Sequence, residues 1–296
     1  MPPSTKPVAL VIGASRGIGR QVAVDFAANG YAVVVAAKTV SDPGQPITAI
    51  PDPKSSASTI TTVSHEIRLA GGDAHPVQVD KYGRLDVLIY NSGAIYWASV
   101  EDTPLKRFKL MQAVNPEGLY AAVQASLPHL RAAPSGRVLV VSPPIYSRFF
   151  RGKTAYAMGK VGMSVLTKGL AMDLRRQGLD RRMAITSLWP AVAIESAATE
   201  RMTRLNPGEA RDLRRPTIFS DAMLAIVKAP AAEVNGELLL DEDFLRERCG
   251  VTDFGSYSVV EGAEPRRIMP AKLPDLRVAE QDDEGKRVDS TKLAKL

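Results

Sequence analysis

The sequence predicts an α/β fold built on a doubly wound parallel sheet. Val8–Ile12 and residues 31–37 are continuous apolar runs, which are typical of parallel strands buried on both faces. A glycine-rich turn and a helical pattern lie between them, so the segment reads as a strand–helix–strand unit. Later strand and helix patterns keep alternating. We therefore predict a single domain of the Rossmann type.

The remaining elements follow in order along the chain. We predict helices at 59–69, about 104–132, about 154–177 and about 220–228, and strands at 77–80, 85–90, 137–142, 183–189 and 236–240. Residues 40–58 are rich in Pro and Ser and are predicted to form a long loop. The domain then covers residues 1–250, and residues 251–296 form a C-terminal extension. From about residue 261 this extension is charged and lacks aromatic residues, which predicts a mobile tail.

Composition excludes several classes of protein. The chain is 45% hydrophobic and 24% charged, which excludes a wholly disordered chain. A formal charge of +6 suits an anionic ligand, but the arginine pairs lack the interleaved aromatic residues of a nucleic-acid surface. The single Cys249 excludes an intrachain disulfide, and three His argue against a metal site. No apolar run approaches the ~18 residues of a membrane span.

A G-x-x-x-G-x-G loop joins the first predicted strand to the first predicted helix. Its residues are Gly13, Ala14, Ser15, Arg16, Gly17, Ile18 and Gly19. Glycines allow the backbone to approach a pyrophosphate, and a helix N-terminus attracts the negative charge. We predict a dinucleotide site here; the alternative is a glycine-rich turn without function.

The end of the second strand indicates which dinucleotide is bound. A carboxylate at this place favours the ribose hydroxyl of NAD, whereas a cation favours the 2′-phosphate of NADP. Lys38 follows the strand and Arg16 lies in the loop, so the sequence favours NADP over NAD. The alternative is that Lys38 is only a solvated residue at a strand end.

Tyr156 and Lys160 lie four residues apart and therefore share one face of a predicted helix. A free phenol has a pKa near ~10, and a neighbouring ammonium lowers it. Such a phenol can give a proton to a carbonyl oxygen, or take one from an alcohol. A pair of this kind alone is a weak signal, but here it follows a dinucleotide loop in one α/β pattern.

With Asn91, Gly93 and Asn115, these motifs resemble the short-chain dehydrogenase/reductase family from residue 7 to about residue 245. A closer resemblance is to the hydroxysteroid dehydrogenase-like protein 2 subgroup. It is carried by residues 36–39, Ser142-Pro143-Pro144, Trp189-Pro190 with Ala193-Ile194, and residues 241–245. The resemblance implies a nicotinamide-dependent oxidoreductase that interconverts a carbonyl and a secondary alcohol. It also implies a homo-oligomer.

The resemblance implies a role for each catalytic residue. Tyr156 is the general acid and base, Lys160 binds the nicotinamide ribose and tunes Tyr156, and Asn115 holds a water of a proton relay. The family usually has a serine 13 residues before the tyrosine, where this chain has Pro143. Ser142, one residue earlier, is our candidate for that role, with Ser147 as a further one and a purely structural Ser142 as the alternative.

The resemblance also implies the cofactor contacts outside the glycine loop. Asp80 would contact adenine, Asn91 and Gly93 would line the ribose and nicotinamide, and Ile194 would close over the carboxamide. Aromatic residues near the family's substrate loops suit an apolar carbonyl substrate, acyl or sterol-like molecules among them. They are Tyr96, Trp97, Tyr146, Phe149, Phe150 and Trp189, together with the aliphatic Ile145.

One departure from the family concerns the helix between the third and fourth strands. With strands at 77–80 and 85–90, only residues 81–84 connect them. Five extended steps reach at most about 18 Å, whereas the crossover spans about 22 Å. We therefore predict that residues 40–84 depart from the family fold, or that a mis-spliced or mis-predicted product has lost a segment. A catalytically impaired dinucleotide-binding protein is the alternative function.

The last three residues, Ala294-Lys295-Leu296, are a close variant of the peroxisomal address Ser-Lys-Leu. The charged tail before them would leave them accessible to an import receptor. The sequence predicts a peroxisomal location, with the cytoplasm as the alternative.

Overall fold

A computed structural model of the chain describes residues 4–41, 47, 58–76, 82–146 and 150–274. In that part of the chain, seven parallel strands form one sheet in the order β3-β2-β1-β4-β5-β6-β7. The strands are β1 (Val8–Ile12), β2 (Ala32–Ala36), β3 (Asp73–Pro76), β4 (Val87–Tyr90), β5 (Gly136–Val141), β6 (Met183–Trp189) and β7 (Leu238–Leu240). The order reverses between β1 and β4, which confirms the predicted doubly wound sheet.

Helices connect the strands and cover both faces of the sheet. They are α1 (Gly17–Ala28), α2 (Ile60–Leu69), α3 (Leu105–Gln112), α4 (Gly118–Ala132), α5 (Thr154–Arg176), α6 (Ala197–Leu205), α7 (Thr217–Lys228), α8 (Ala231–Val234) and α9 (Asp241–Cys249). The predicted helix at about 104–132 is two helices, because a π-helical turn, Ala113–Glu117, lies between α3 and α4.

The core lies in two layers, one on each face of the sheet. Alternate residues of β5 point to opposite faces: Leu139 belongs to one apolar cluster and Val138 to the other. Phe26 of α1 and Phe219 of α7 fill the first layer, and Leu119 of α4 lies in the second. This two-sided burial explains why the strands read as continuous apolar runs.

The third strand lies earlier in the chain than we predicted. β3 spans Asp73–Pro76 and pairs with β2, whereas the predicted residues 77–80 lie outside the described part of the chain. Ten residues, 77–86, therefore separate β3 from β4. They can extend over about 36 Å, so β3 and β4 both occupy their usual places. Our prediction that this connection is too short was wrong, because β3 ends at Pro76 and not at residue 80.

The described part of this connection contains no helix, since residues 82–86 are turn and irregular backbone. The Tyr82 hydroxyl donates to Asp73 Oδ1 at 2.8 Å, and the Tyr82 carbonyl accepts from the Ser4 N–H at 3.0 Å. Tyr82 thus lies at the amino ends of the strands. The chain has returned across the sheet at this point and can enter β4 directly.

The C-terminal extension is ordered further than we predicted. The sequence predicts a mobile tail from about residue 261, whereas residues 261–274 pack against the domain, with Ala263 and Met269 buried. Residues 275–296, including Ala294-Lys295-Leu296, lie outside the described residues. Among the helices of the described ranges, none is long and apolar enough to cross a membrane.

Candidate active site

The glycine-rich loop lies where β1, β2 and β4 end at the carboxyl edge of the sheet. The N–H groups of Gly13 and Ala14 donate to the Ala36 carbonyl at 2.7 and 3.2 Å. The side-chain amide of Asn91 donates to the Gly13 carbonyl at 3.0 Å. The ends of three strands therefore fix the shape of the loop.

Two positions in this loop have room only for glycine. Gly13 has φ +89°, and a Cβ there would lie 2.7 Å from the Ser92 backbone nitrogen. A Cβ on Gly19 would lie 2.6 Å from the Asn91 amide nitrogen. The missing side chains leave a bare backbone surface, which a phosphate group can approach closely.

Helix α1 begins at Gly17 and presents its amino end to this surface. Arg16 is the N-cap residue, its side chain makes no capping bond, and the first turn carries no acidic residue. Ala14 is buried, and Ile18 packs against the apolar core. The carbonyl of Ser15 accepts a hydrogen bond from the Ser58 hydroxyl at 2.5 Å. The free N–H groups and the helix dipole can therefore hold a pyrophosphate.

Lys38 and Arg16 flank the place where the adenosine ribose of a dinucleotide would lie. Both side chains are exposed, and in the described ranges neither makes a hydrogen bond or ion pair with another residue. Two accessible cations lie at this end of β2, and the described residues that follow the strand, 37–41, include no carboxylate, which suits a 2′-phosphate. Asp80, predicted to contact adenine, lies outside the described residues.

Tyr156 and Lys160 lie on the first two turns of α5, near the carboxyl ends of β4 and β5. The Lys160 ammonium donates to the Val141 carbonyl at 2.8 Å, and it is nearly fully buried. A Cβ on Gly93 would lie 3.4 Å from Lys160 Nζ, and Gly93 itself is exposed. Lys160 therefore stands just behind an open surface at Gly93, where a ribose could reach it.

Burial dominates the ionisation of both groups. It raises the pKa of the Tyr156 phenol well above its ordinary value, and it lowers the pKa of the Lys160 ammonium to about 7. We predict from the sequence that Lys160 lowers the pKa of Tyr156. In the folded chain, desolvation acts in the opposite direction and is the largest influence on each. Burial thus keeps the Tyr156 phenol protonated and leaves the Lys160 ammonium only partly charged near pH 7.

Asn115 lies in the π-helical turn between α3 and α4 and is fully buried. Its Oδ1 accepts from the Ala94 N–H at 2.8 Å, and its Nδ2 donates to the Ala94 carbonyl at 3.1 Å. A Cβ on Gly159 would lie 3.4 Å from Asn115, so a glycine there lets α5 pack closely against the turn. Asn115 thereby fixes the segment that carries Gly93 and faces Lys160.

Ser142 is enclosed by the hydroxyl groups of other serines. Its hydroxyl is fully buried and is 2.7 Å from the Ser187 hydroxyl, and it accepts from Ser164 at 3.0 Å. A hydroxyl enclosed in this way has no surface for a substrate oxygen. Ser147, the other candidate, lies outside the described residues. The place of the family's serine is therefore unfilled among the described side chains.

Aromatic side chains surround Tyr156. Its ring meets the Trp97 ring edge-on at a centroid distance of 6.2 Å, and Trp97 is 51% exposed. Tyr156 belongs to a buried cluster with Met111, Ala155 and Ala157, and the partly buried residues packed against this cluster are Ala94, Tyr96, Phe108, Tyr146, Phe150 and Trp189. This wall suits an apolar substrate.

The sequence does not predict one contact that fixes the loop after β6. Ile194 is buried in this loop. That loop is held by the Asp241 carboxylate, which accepts from the Ala191 N–H at 2.8 Å. The run at 241–245 was noted only as a resemblance. Its three consecutive acidic residues beside a short strand were the available signal.

The described residues contain no group of three or more His, Cys, Asp or Glu placed to hold a metal ion. The phenol of Tyr156 and the ammonium of Lys160 lie on one helix turn, at the same sheet edge as the bare backbone of the glycine loop. Such a site on a doubly wound sheet defines a class of oxidoreductase. The chain belongs to the short chain dehydrogenase family, whose model matches residues 7–201.

Individual relatives agree with this class. The hydroxysteroid dehydrogenase-like protein 2 of Danio rerio is 34% identical over 270 residues, which cover 85% of this chain and 60% of the relative. The chain thus spans well under two thirds of the length of such relatives. A protein of Xanthomonas campestris described as a dehydrogenase is 33% identical, with TM-score 0.74 over 93% of this chain and 98% of that chain. A short chain dehydrogenase of Mycobacterium thermoresistibile is 33% identical, with TM-score 0.75 over 88% and 92%.

Proposed function

We propose that the chain is an NADP(H)-dependent oxidoreductase that interconverts a carbonyl and a secondary alcohol on an apolar substrate. The observation that carries this proposal is the position of Lys160 beside exposed Gly93, one helical turn from Tyr156 and at the same sheet edge as the glycine loop. Bound nicotinamide supplies or accepts the hydride. The aromatic residues packed against the cluster that contains Tyr156 support an apolar substrate, with acyl or sterol-like molecules among the candidates.

The residues of the chain handle the proton. In the reducing direction the Tyr156 hydroxyl donates its proton to the carbonyl oxygen while the carbonyl carbon receives the hydride. Lys160 holds the ribose side of the site and favours the phenolate that forms. Asn115 positions the segment beside Lys160, next to a relay water that restores the Tyr156 proton. The oxidising direction reverses each transfer.

The second candidate is a dinucleotide-binding protein without turnover. The burial of Ser142 favours it, because the hydroxyl of this candidate for the substrate-orienting serine is enclosed and bonded to Ser187. The two candidates separate when NADPH binding is measured beside turnover of a panel of apolar ketones. Binding without turnover supports the second candidate.

The cofactor preference is tested by Lys38→Asp. We expect the unaltered chain to bind NADPH more tightly than NADH, because Lys38 and Arg16 can make charge-assisted bonds to the 2′-phosphate. Lys38→Asp should shift the preference toward NADH by about tenfold or more, since a charged hydrogen bond contributes about 1.5–3 kcal/mol. Lys6→Asp, which removes an exposed cation before β1, is the matched control. An unaltered chain that already prefers NADH contradicts the role of Lys38.

We also propose that the chain assembles as a homo-oligomer through α4 and α5. Tyr120 of α4 and Val165 of α5 are exposed apolar residues, and such residues suit a contact with a second copy. Sedimentation at micromolar concentration tests this proposal, and a monomer would contradict it.

Peroxisomal import through Ala294-Lys295-Leu296 is our proposal for location, with the cytoplasm as the alternative. Residues 285–296 fused to the C-terminus of a fluorescent reporter should direct it to peroxisomes through the import receptor. A copy lacking Leu296 should stay cytosolic, because the terminal leucine and its carboxylate are then lost. A cytosolic reporter in both cases would exclude this address.

A further inference from the structure

The loop after β6 runs along the whole candidate cofactor site. At one end the Trp189 ring lies 5.8 Å from Lys160 Nζ. At the other end Ser196 is the nearest neighbour that a Cβ on Gly17 would meet, at 3.8 Å. The segment between Trp189 and Ser196 therefore connects the catalytic pair to the phosphate loop.

The Ala191 peptide in this segment is held from both sides. Its N–H donates to Asp241 Oδ1 at 2.8 Å, and its carbonyl accepts from the N–H groups of Ile268 and Met269 at 2.8 and 3.1 Å. Asp241 is 1% exposed, and its Oδ1 also accepts from the Glu242 N–H at 2.7 Å. A carboxylate with two backbone donors has a fixed orientation, so Ala191 is fixed as well.

An ion pair holds the C-terminal segment that contacts Ala191. The Arg267 guanidinium donates to both oxygens of Asp243, at 2.7 and 2.8 Å. The backbones of Arg267 and Val192 also form an isolated antiparallel β-bridge. The two-bond geometry is the strong and directional form of this interaction. It places Ile268 and Met269 against Ala191.

The same acidic run fixes the next residues of the loop through Arg214. The buried Arg214 guanidinium donates to Glu242 Oε1 at 2.8 Å. The Arg214 N–H donates to the Ala193 carbonyl at 2.8 Å, and its carbonyl accepts from the Glu195 N–H at 2.9 Å. Asp241, Glu242 and Asp243 thus each hold a different stretch of the loop around Ile194.

We propose that residues 241–243 and 267–269 form a clamp that positions the nicotinamide half of the cofactor site, with Asp241 and Arg267 as positioning residues. The inference rests on the proposed function. A loop that is already held in its binding conformation loses little conformational entropy when a ligand binds. A loosened loop loses more, and this loss weakens the affinity for the ligand. The clamp holds Ala191, Val192, Ala193 and Glu195 of the loop, on the side of the catalytic pair. The adenosine half lies at the end of β2, which β1, β4 and β5 separate from β6.

The test compares two ligands that share the adenosine half. NADPH contains both halves, and adenosine 2′,5′-bisphosphate lacks the nicotinamide half. For Arg267→Gln we expect the dissociation constant of NADPH to rise about tenfold, because one partner of an ion pair is lost and the loop loosens. The constant for the bisphosphate should stay within about twofold. Arg267→Lys should recover part of the loss, and Arg248→Gln on the exposed face of α9 is the control.

A second pair of variants covers the case in which Arg267→Gln unfolds. Asp241→Asn keeps an oxygen that can accept from Ala191, whereas Asp241→Ala does not. We expect weak NADPH binding only in the alanine variant, with the bisphosphate unaffected in both. Parallel weakening of both ligands, or unchanged NADPH affinity in Arg267→Gln and Asp241→Ala, would overturn the clamp alone. An unaltered chain that binds no NADPH would overturn the proposed function, and the clamp with it.

Discussion

Tyr156→Phe should lower turnover of a carbonyl substrate by at least 10²- to 10⁴-fold, the usual contribution of a positioned acid. The substitution removes only the hydroxyl and leaves the ring packed against Trp97. The dissociation constant for NADPH should change by no more than about twofold, because the phosphate cradle is formed elsewhere. Steady-state kinetics and a fluorescence titration of NADPH measure the two effects.

Tyr120→Phe is the matched control for this variant. Tyr120 is 58% exposed on α4, so losing its hydroxyl should alter neither turnover nor binding. Equal turnover in Tyr156→Phe and the unaltered chain would remove Tyr156 from the mechanism. Loss of NADPH binding in parallel with turnover would show that the hydroxyl supports the cofactor rather than the proton transfer.

Lys160→Met should abolish turnover and yet raise the free energy of unfolding. Burial holds the pKa of Lys160 at about 7, whereas an unfolded lysine has a pKa near 10.4. A charged lysine therefore opposes folding at neutral pH, by on the order of 3 kcal/mol after its hydrogen bond is counted. Methionine fills a similar volume without a charge.

The sign of the pH dependence follows from that shift. The folded chain binds fewer protons than the unfolded chain between about pH 7 and pH 10, so its stability rises with pH in that window. The gain from Lys160→Met should be largest near pH 6 and should vanish toward pH 10. Urea unfolding at pH 6 and pH 9 measures it, with Lys168→Met on the exposed face of α5 as control.

An equal gain at both pH values would contradict the low pKa of Lys160. A loss of stability at pH 6 would show that the ammonium is charged and well compensated in the folded chain. Either result would mean that Lys160 stays charged at neutral pH and favours the phenolate of Tyr156 more strongly than a half-charged group would.

The parts of the fold predicted well are those with a strong local signal. β1 at Val8–Ile12 and β6 at Met183–Trp189 begin and end where we predict them, because continuous apolar runs are bounded by polar or glycine-rich residues. The predicted helix at 59–69 becomes α2 with Thr59 as its cap. Tyr156 and Lys160 share one face because their spacing is a helical turn.

The parts predicted poorly depend on contacts distant in sequence. β3, Asp73–Pro76, is short and half-buried at the sheet edge, so its apolar signal is weaker than that of the next four residues. The environment of Ser142 depends on Ser187 of β6, which is hydrogen-bonded to the Ser142 hydroxyl. Ordering of residues 261–274 depends on Arg267 meeting Asp243, a pairing that charge composition alone cannot reveal.

Transfer of deuterium from nicotinamide C4 tests the central claim most directly. NADPH with deuterium at both C4 positions is incubated with the chain and a panel of apolar ketones, and the alcohols are examined by mass spectrometry. The account predicts one deuterium on the carbinol carbon, with transfer lost in Tyr156→Phe. NADPH binding without deuterium in any alcohol would contradict the account and favour a dinucleotide-binding protein without turnover.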